Sequence, residues 1–216
     1  MSWLRLTKEE IEQARQETQA RPPMPEILII HASDLPDDVA PGVTVAPPLK
    51  ITAADLSAVP PQATATADVR ALEQQMFHLI NAARPAHLPG WLGTTRLRWH
   101  EGLAAVARGH SADMLARQYV DHVSPEGVSA VQRIERYGIR YLACGENIGV
   151  VYGTANYQDG VADIHRTFMN QPRRLTNHRG NLLNPIWTHA GIGIAISASG
   201  ALVATQNFIS TWISSR

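Results

Sequence analysis

From Asp68 onward apolar side chains recur at helical spacing, with Val69, Leu72, Met76, Phe77, Ile80 and Ala83 on one face. The spacing predicts an amphipathic helix ended by Pro85 and the Pro89-Gly90-Trp91 turn. A second helix is expected from about Glu101 to Gln118, where Leu103, Val106, Ala107, His110 and Met114 form a stripe and Glu101 suits the first turn. Ser124-Pro125 has the form of an N-cap followed by a first helical residue. A third helix is therefore expected to start there, carry Val128, Val131 and Ile134, and stop at Gly138. Tyr157, Val161, Ile164 and Phe168 mark a helix near 155–170, and a further helical stretch is expected around 174–183. The pattern then changes. Residues 189–199 and 201–210 are rich in β-formers and flank Ser199-Gly200, which predicts an antiparallel hairpin and, with the helices before it, an α+β fold.

The chain before this region is built differently. Nine of the fourteen prolines fall in residues 1–66, and that segment carries five Lys+Arg against nine Asp+Glu, a net of minus four. The remainder holds fourteen against ten, plus four, with arginine as its only basic residue besides histidine. Two parts follow: a Pro-rich acidic extension over 1–66 and a folded domain over 67–216. Within the extension, Thr7 to Glu10 has the form of a capping box before a short helix to about Ala20. Ile27 to Ile30 is an apolar run of strand length, and 57–67 reads as an extended linker. Its apolar residues are too few for a second core and too many to float without cost, so the arm is expected to pack on its own or a neighbouring domain.

Composition removes several function classes. The 216 residues are 44% hydrophobic and 18% charged with a formal charge of zero, enough for one core and a poor match to a nucleic-acid partner. One cysteine, Cys144, excludes an intramolecular disulfide, a four-cysteine zinc site and a CxxC redox pair. No apolar run reaches the length of a transmembrane segment, and charged Lys8, Glu9 and Glu10 stand where a signal peptide would place apolar residues. The chain is expected to be soluble, with location depending on whether Met1 is the native start. There is no Walker loop, no GxGxxG after a strand, no HExxH helix and no GxSxG elbow.

What remains is nine histidines, of which His122 and His178 sit beside polar turn residues. Eight short strings surround them in order: Asn81-Ala-Ala-Arg84, Leu97-Arg-Trp-His-Glu-Gly-Leu103, His110-Ser-Ala-Asp-Met114, Asp121-His122, Gly145-Glu-Asn-Ile148, His178-Arg-Gly-Asn-Leu-Leu-Asn-Pro185, Thr188-His-Ala-Gly-Ile-Gly193 and Thr205-Gln-Asn-Phe208. Together they resemble the bacterial branch of the CAP superfamily, the SCP-like domains that include cysteine-rich secretory proteins, antigen 5 and plant pathogenesis-related proteins. The resemblance covers about 68–212. It implies an α-β-α sandwich, a small antiparallel sheet between helical layers, with a cleft holding two histidines and two acids. Three of those four carry over, as His122, Glu146 and His178; His189 is the tempting wrong choice. The second acid of the eukaryotic pattern would fall near Gln171 and is missing.

Two imidazoles facing one another can supply neutral nitrogen ligands for Zn²⁺ or another divalent metal, weakly bound because two protein ligands are few. Glu146 is then expected to orient one ring. Cys144 and Ser124 are weaker candidates as nucleophiles: the first lies in an apolar setting, and the second has a sufficient task at a helix start. Arg173, Arg174 and Arg179 are a candidate anion-binding cluster. Two functions stay open. One is a secreted or cell-envelope binding module for a lipid, peptide or glycan, with a cytoplasmic location as the alternative; the other is a metal-assisted hydrolase using water activated at His122 and His178 with Glu146. Neither the ligand nor the oligomeric state is legible.

Overall fold

The computed structural model describes residues 28–31, 68–90, 95–154, 156–172 and 177–211. In chain order the elements are β1 (Leu28–His31), α1 (Val69–His87), β2 (Arg98–Trp99), α2 (Glu101–Arg117), α3 (Ala130–Arg136), β3 (Ala143–Tyr152), α4 (Tyr157–Asn170), α5 (His178–Leu182), β4 (His189–Ile196) and β5 (Leu202–Ser210). One five-stranded sheet has the order β1-β3-β5-β4-β2. Its centre is antiparallel: β4 and β5 form the hairpin, turning through Gly200 at φ 86°, and β3 lies along the other side of β5. Its edges are parallel, β1 on β3 from Leu28↔Gly149 to His31↔Tyr152 and β2 on β4.

Alternation along the strands divides the core between two helical layers. Ala190, Ile192, Ile194, Ala204 and Phe208 pack with Leu72, Met76 and Ile80 of α1 and with Ile164 and Phe168 of α4. On the opposite face Ile209 meets Leu103, Val106 and Ile134 of α2 and α3, and Ile148, Val150 and Val203 meet Met114. Helix α2 lies directly on β4. A Cβ on Gly193 would stand 2.0 Å from the Arg108 nitrogen, and one on Gly191 2.2 Å from that of Ala104, so only glycine permits this approach.

Several of the short strings prove to be joints. Asn81 donates to the Leu97 carbonyl and accepts from the Leu97 amide, at 3.0 and 2.7 Å, which locks the end of α1 to the lead-in of β2. Arg84 is 1% exposed and donates to the carbonyls of Thr95, Leu182 and Asn184. Burial lowers its pKa to about 10, still charged at neutral pH.

Three expected boundaries differ. Helix α1 runs past Pro85 to His87, because in the last turn a proline forfeits little beyond one bond to the carbonyl four residues back. Helix α3 starts at Ala130 rather than after Ser124-Pro125. Ser129 caps it through a capping box with Gln132, while the 124–128 segment closes a turn in which Gly127, at φ 80°, cannot continue a helix. The stretch expected near 174–183 is helical over His178–Leu182, capped by Asn177. The Thr7–Ala20 helix, the 57–67 linker and the packing expected of the arm beyond residues 28–31 lie outside the described residues.

Candidate functional site

Consecutive residues of β3 reach opposite faces of the sheet and hold the two expected histidines. Glu146 faces α3. His122, on the turn after α2, directs Nδ1 to Glu146 Oε1 at 2.9 Å, and Arg133 of α3 donates through Nη2 to both carboxylate oxygens at 3.0 and 2.8 Å. The other arm of the Arg133 guanidinium donates to the carbonyls of His122 and Val128, so one side chain fixes the acid and the turn carrying its histidine. Burial alone would raise the Glu146 carboxyl. The hydrogen bond from His122 and the Arg133 charge outweigh it and hold the group below the ordinary carboxylate range. As an ionised acceptor Glu146 receives the Nδ1 hydrogen of His122.

Asn147 faces the other layer, donating to the His178 carbonyl at 3.3 Å and to Gln206 Oε1 at 3.1 Å while accepting from Asn181. His178 is wholly buried at the start of α5, its ring stacked on Phe168 with centroids 4.2 Å apart and planes 2° from parallel. Gln171, the C-cap of α4, reaches this histidine twice. Its Oε1 accepts the His178 backbone N–H at 3.1 Å and its Nε2 lies 3.0 Å from the ring Nδ1. The ring's Nε2 is buried and meets no hydrogen-bond partner among the described residues. Burial, reinforced by the nearby His122, lowers the His178 pKa to about 3, so the ring is neutral at physiological pH.

The structure thus joins His122 to Glu146 and ties His178 to the adjacent β3 residue, with His122 close enough to be felt electrostatically at His178. Three contributors have no role assigned from the sequence. Arg133 had the generic signal that a buried acid needs a countercharge. Gln171 stands at the position expected for the second acid and orients His178 without a charge. His110, a stripe residue by its spacing, directs Nε2 to the Asp121 carbonyl at 2.9 Å and feels Glu146, while its Nδ1 and both side-chain atoms of Asn207 are buried without partners among the described residues. Their burial beside this group has no signal in the sequence.

The remaining candidates have other partners. The Ser124 hydroxyl donates to Glu126 Oε2 and accepts from the Val128 amide, and Cys144 packs on the cluster of Leu103, Val106, Ile134 and Ile209. His189 sits edge-to-face with His100 and bonds Thr188. Arg179 donates to the Gln171 carbonyl at 3.1 Å; Arg173 and Arg174 lie outside the described residues.

A divalent ion shared by His122 and His178 requires a lone pair from each ring. On His178 the ring nitrogen facing no described partner is Nε2, since Nδ1 is engaged by the Gln171 side chain, 3.0 Å from its Nε2 and 3.3 Å from its Oε1. Among the described residues no group of three or more His, Cys, Asp or Glu side chains is disposed to hold a metal, and no helix is long and apolar enough to cross a membrane.

The family model of the cysteine-rich secretory proteins, CAP, matches residues 77–208, more than half of the chain. Two proteins of Bacillus subtilis (strain 168) are each 34% identical: the uncharacterized membrane protein YlbC over 140 residues, 65% of this chain and 35% of its own, and the uncharacterized protein YkwD over 146 residues, 68% and 50%. This chain therefore spans half or less of the length of these relatives. Among solved structures, an extracellular SCP-domain protein of Bacillus anthracis superposes with a TM-score of 0.53 at 33% identity, covering 69% of this chain and 45% of the other. An outer surface protein of Borrelia burgdorferi shares the fold, with a TM-score of 0.55 at 16% identity over 68% and 97%. With the α-β-α layering, the glycine contacts of β4 and the paired anchoring of His122 and His178, these matches make the chain a member of the CAP family, on its bacterial branch.

Proposed function

We propose that this domain is an extracytoplasmic binding module that receives a lipid, peptide or cell-envelope glycan at the His178 side of the site. One observation carries the reading: the buried His178 Nε2, held in place by Phe168, Gln171 and Asn147, meets no partner among the described residues. A buried polar atom left unpaired is costly, and a fold that retains one beside so much orienting structure is suited to a ligand atom arriving there. On the other side of the site the carboxylate is fully engaged. Both Glu146 oxygens are taken by His122 and Arg133, and its depressed pKa makes it a weak proton acceptor, so its role is to hold the His122 turn in position. The extracellular SCP-domain relative supports the location.

The test is mass spectrometry of small molecules carried through purification of the full chain from its host envelope. The expected result is one ligand class retained by the unaltered chain and lost from His178→Ala. A ligand retained equally by both, or none in either, overturns the reading.

A further inference from the structure

We infer that Gln171 makes the site selective: it holds His178 as the tautomer bearing hydrogen on Nε2, so that the ring donates to an acceptor oxygen of a ligand and does not bind a divalent cation. The backbone amide of His178 is always a donor, and it lies 3.1 Å from Gln171 Oε1. That contact fixes the amide's orientation, because exchanging oxygen and nitrogen would set two donors against each other. The amide NH₂ is thereby directed at the ring Nδ1, 3.0 Å away, where it donates. Oε1 is also 3.3 Å from Nδ1, but a hydrogen on Nδ1 would collide with the nearer NH₂. Nδ1 is therefore the acceptor, and in a neutral ring the hydrogen resides on Nε2.

A carboxylate in place of Gln171 would do the reverse. It would accept a hydrogen from Nδ1 and leave the Nε2 lone pair for a metal, as acids behind ligating histidines do. The single replacement of oxygen by NH₂ thus exchanges a cation ligand for a hydrogen-bond donor. Arg179 donates to the Gln171 carbonyl at 3.1 Å. Gln171 is itself restrained at both ends, its N–H reaching the Phe168 carbonyl and its carbonyl taken by Arg179, so its side chain is a positioning element on a fixed base.

The ligand clause rests on the proposed binding role, whereas the tautomer does not, and the two are measured separately. Long-range ¹H–¹⁵N correlation spectra of the unaltered chain at neutral pH are expected to show His178 with hydrogen on Nε2 and a bare Nδ1; hydrogen on Nδ1 overturns the inference whatever any variant does. Calorimetric titration with Zn²⁺ is expected to give Gln171→Glu at least about a tenfold tighter binding than the unaltered chain, the scale on which second partners of ligating histidines act. Equal affinities overturn the selectivity. Gln171→Met, which orients neither nitrogen, is expected to show a mixture of tautomers, and a single Nε2–H form there removes Gln171 from the account. Titration with inorganic phosphate and with acetate is expected to shift the His178 Nε2 resonance of the unaltered chain. No shift with either anion overturns the ligand assignment and leaves the tautomer result standing on its own measurement.

Discussion

Arg133 Nη2 touches both oxygens of Glu146, at 3.0 and 2.8 Å, in a setting where the acid is fully buried and the arginine nearly so. Removing one partner of such a pair leaves an uncompensated charge in the interior. Arg133→Met is therefore expected to cost about 3–5 kcal/mol, measured by urea denaturation, and Arg133→Met with Glu146→Gln to recover part of that loss. A double variant as unstable as the sum of the single ones would show that the two residues are not energetically coupled.

Two glycines separate close packing from open space. The Cβ of Gly193→Ala would lie 2.0 and 2.2 Å from backbone atoms of Arg108 and Ala107, so β4 and α2 must part, with an expected loss of about 3 kcal/mol or more. At Gly109, within α2, a methyl group would meet nothing within 4 Å, and Gly109→Ala is expected to stabilise by about 0.5–1 kcal/mol through helix propensity. Thermal melts of the two variants should move in opposite directions.

Acid sensitivity follows from the buried imidazoles. Burial lowers the pKa of His165 to about 4 and of His178 to about 3, from an ordinary 6.5. Between those folded values and 6.5 the unfolded chain binds more protons, so stability falls as pH falls through this window, by up to about 1.4 kcal/mol per pH unit for each ring. Glu146 adds to the loss at the acid end, since its depressed pKa means that protonation removes a stabilising charge. Denaturation midpoints at pH 7 and pH 4 check the sign; His165→Phe should flatten the slope.

The helices were legible because their buried faces keep one period: Leu72, Met76 and Ile80 on α1, and Val161, Ile164 and Phe168 on α4, are all buried as spacing required. Strand β3 was harder to read. Its face toward α4 and α5 carries Gly145, Asn147 and Gly149, because a Cβ at Gly149 would stand 2.7 Å from Ile164 and one at Gly145 2.6 Å from Asn181, so the usual alternation of β-formers is erased. Within the site, His122, Glu146 and His178 came from motif order. Arg133 and the bonding of Gln171 to His178 depend on how α3 and the end of α4 approach β3, and no local pattern in the sequence encodes that approach.

The edge strand β1 gives the extension a measurable role. Its four residues pair in parallel with Gly149–Tyr152, on the outer side of the strand that carries Glu146 and Asn147. A parallel ladder protects alternate amides of both partners, at a net of about 1 kcal/mol for each hydrogen bond. Deleting residues 1–66 is expected to lower stability by a few such bonds and to expose part of the β3 edge, which invites association between copies. Hydrogen exchange on the full and shortened chains resolves this by residue. Protection should drop at Gly149–Tyr152 in the shortened chain and stay high in β5, where Leu202–Ser210 is flanked by β3 and β4. Exchange that is unchanged at Gly149–Tyr152, with an unaltered melting temperature, would mean that β1 adds nothing to the sheet in solution.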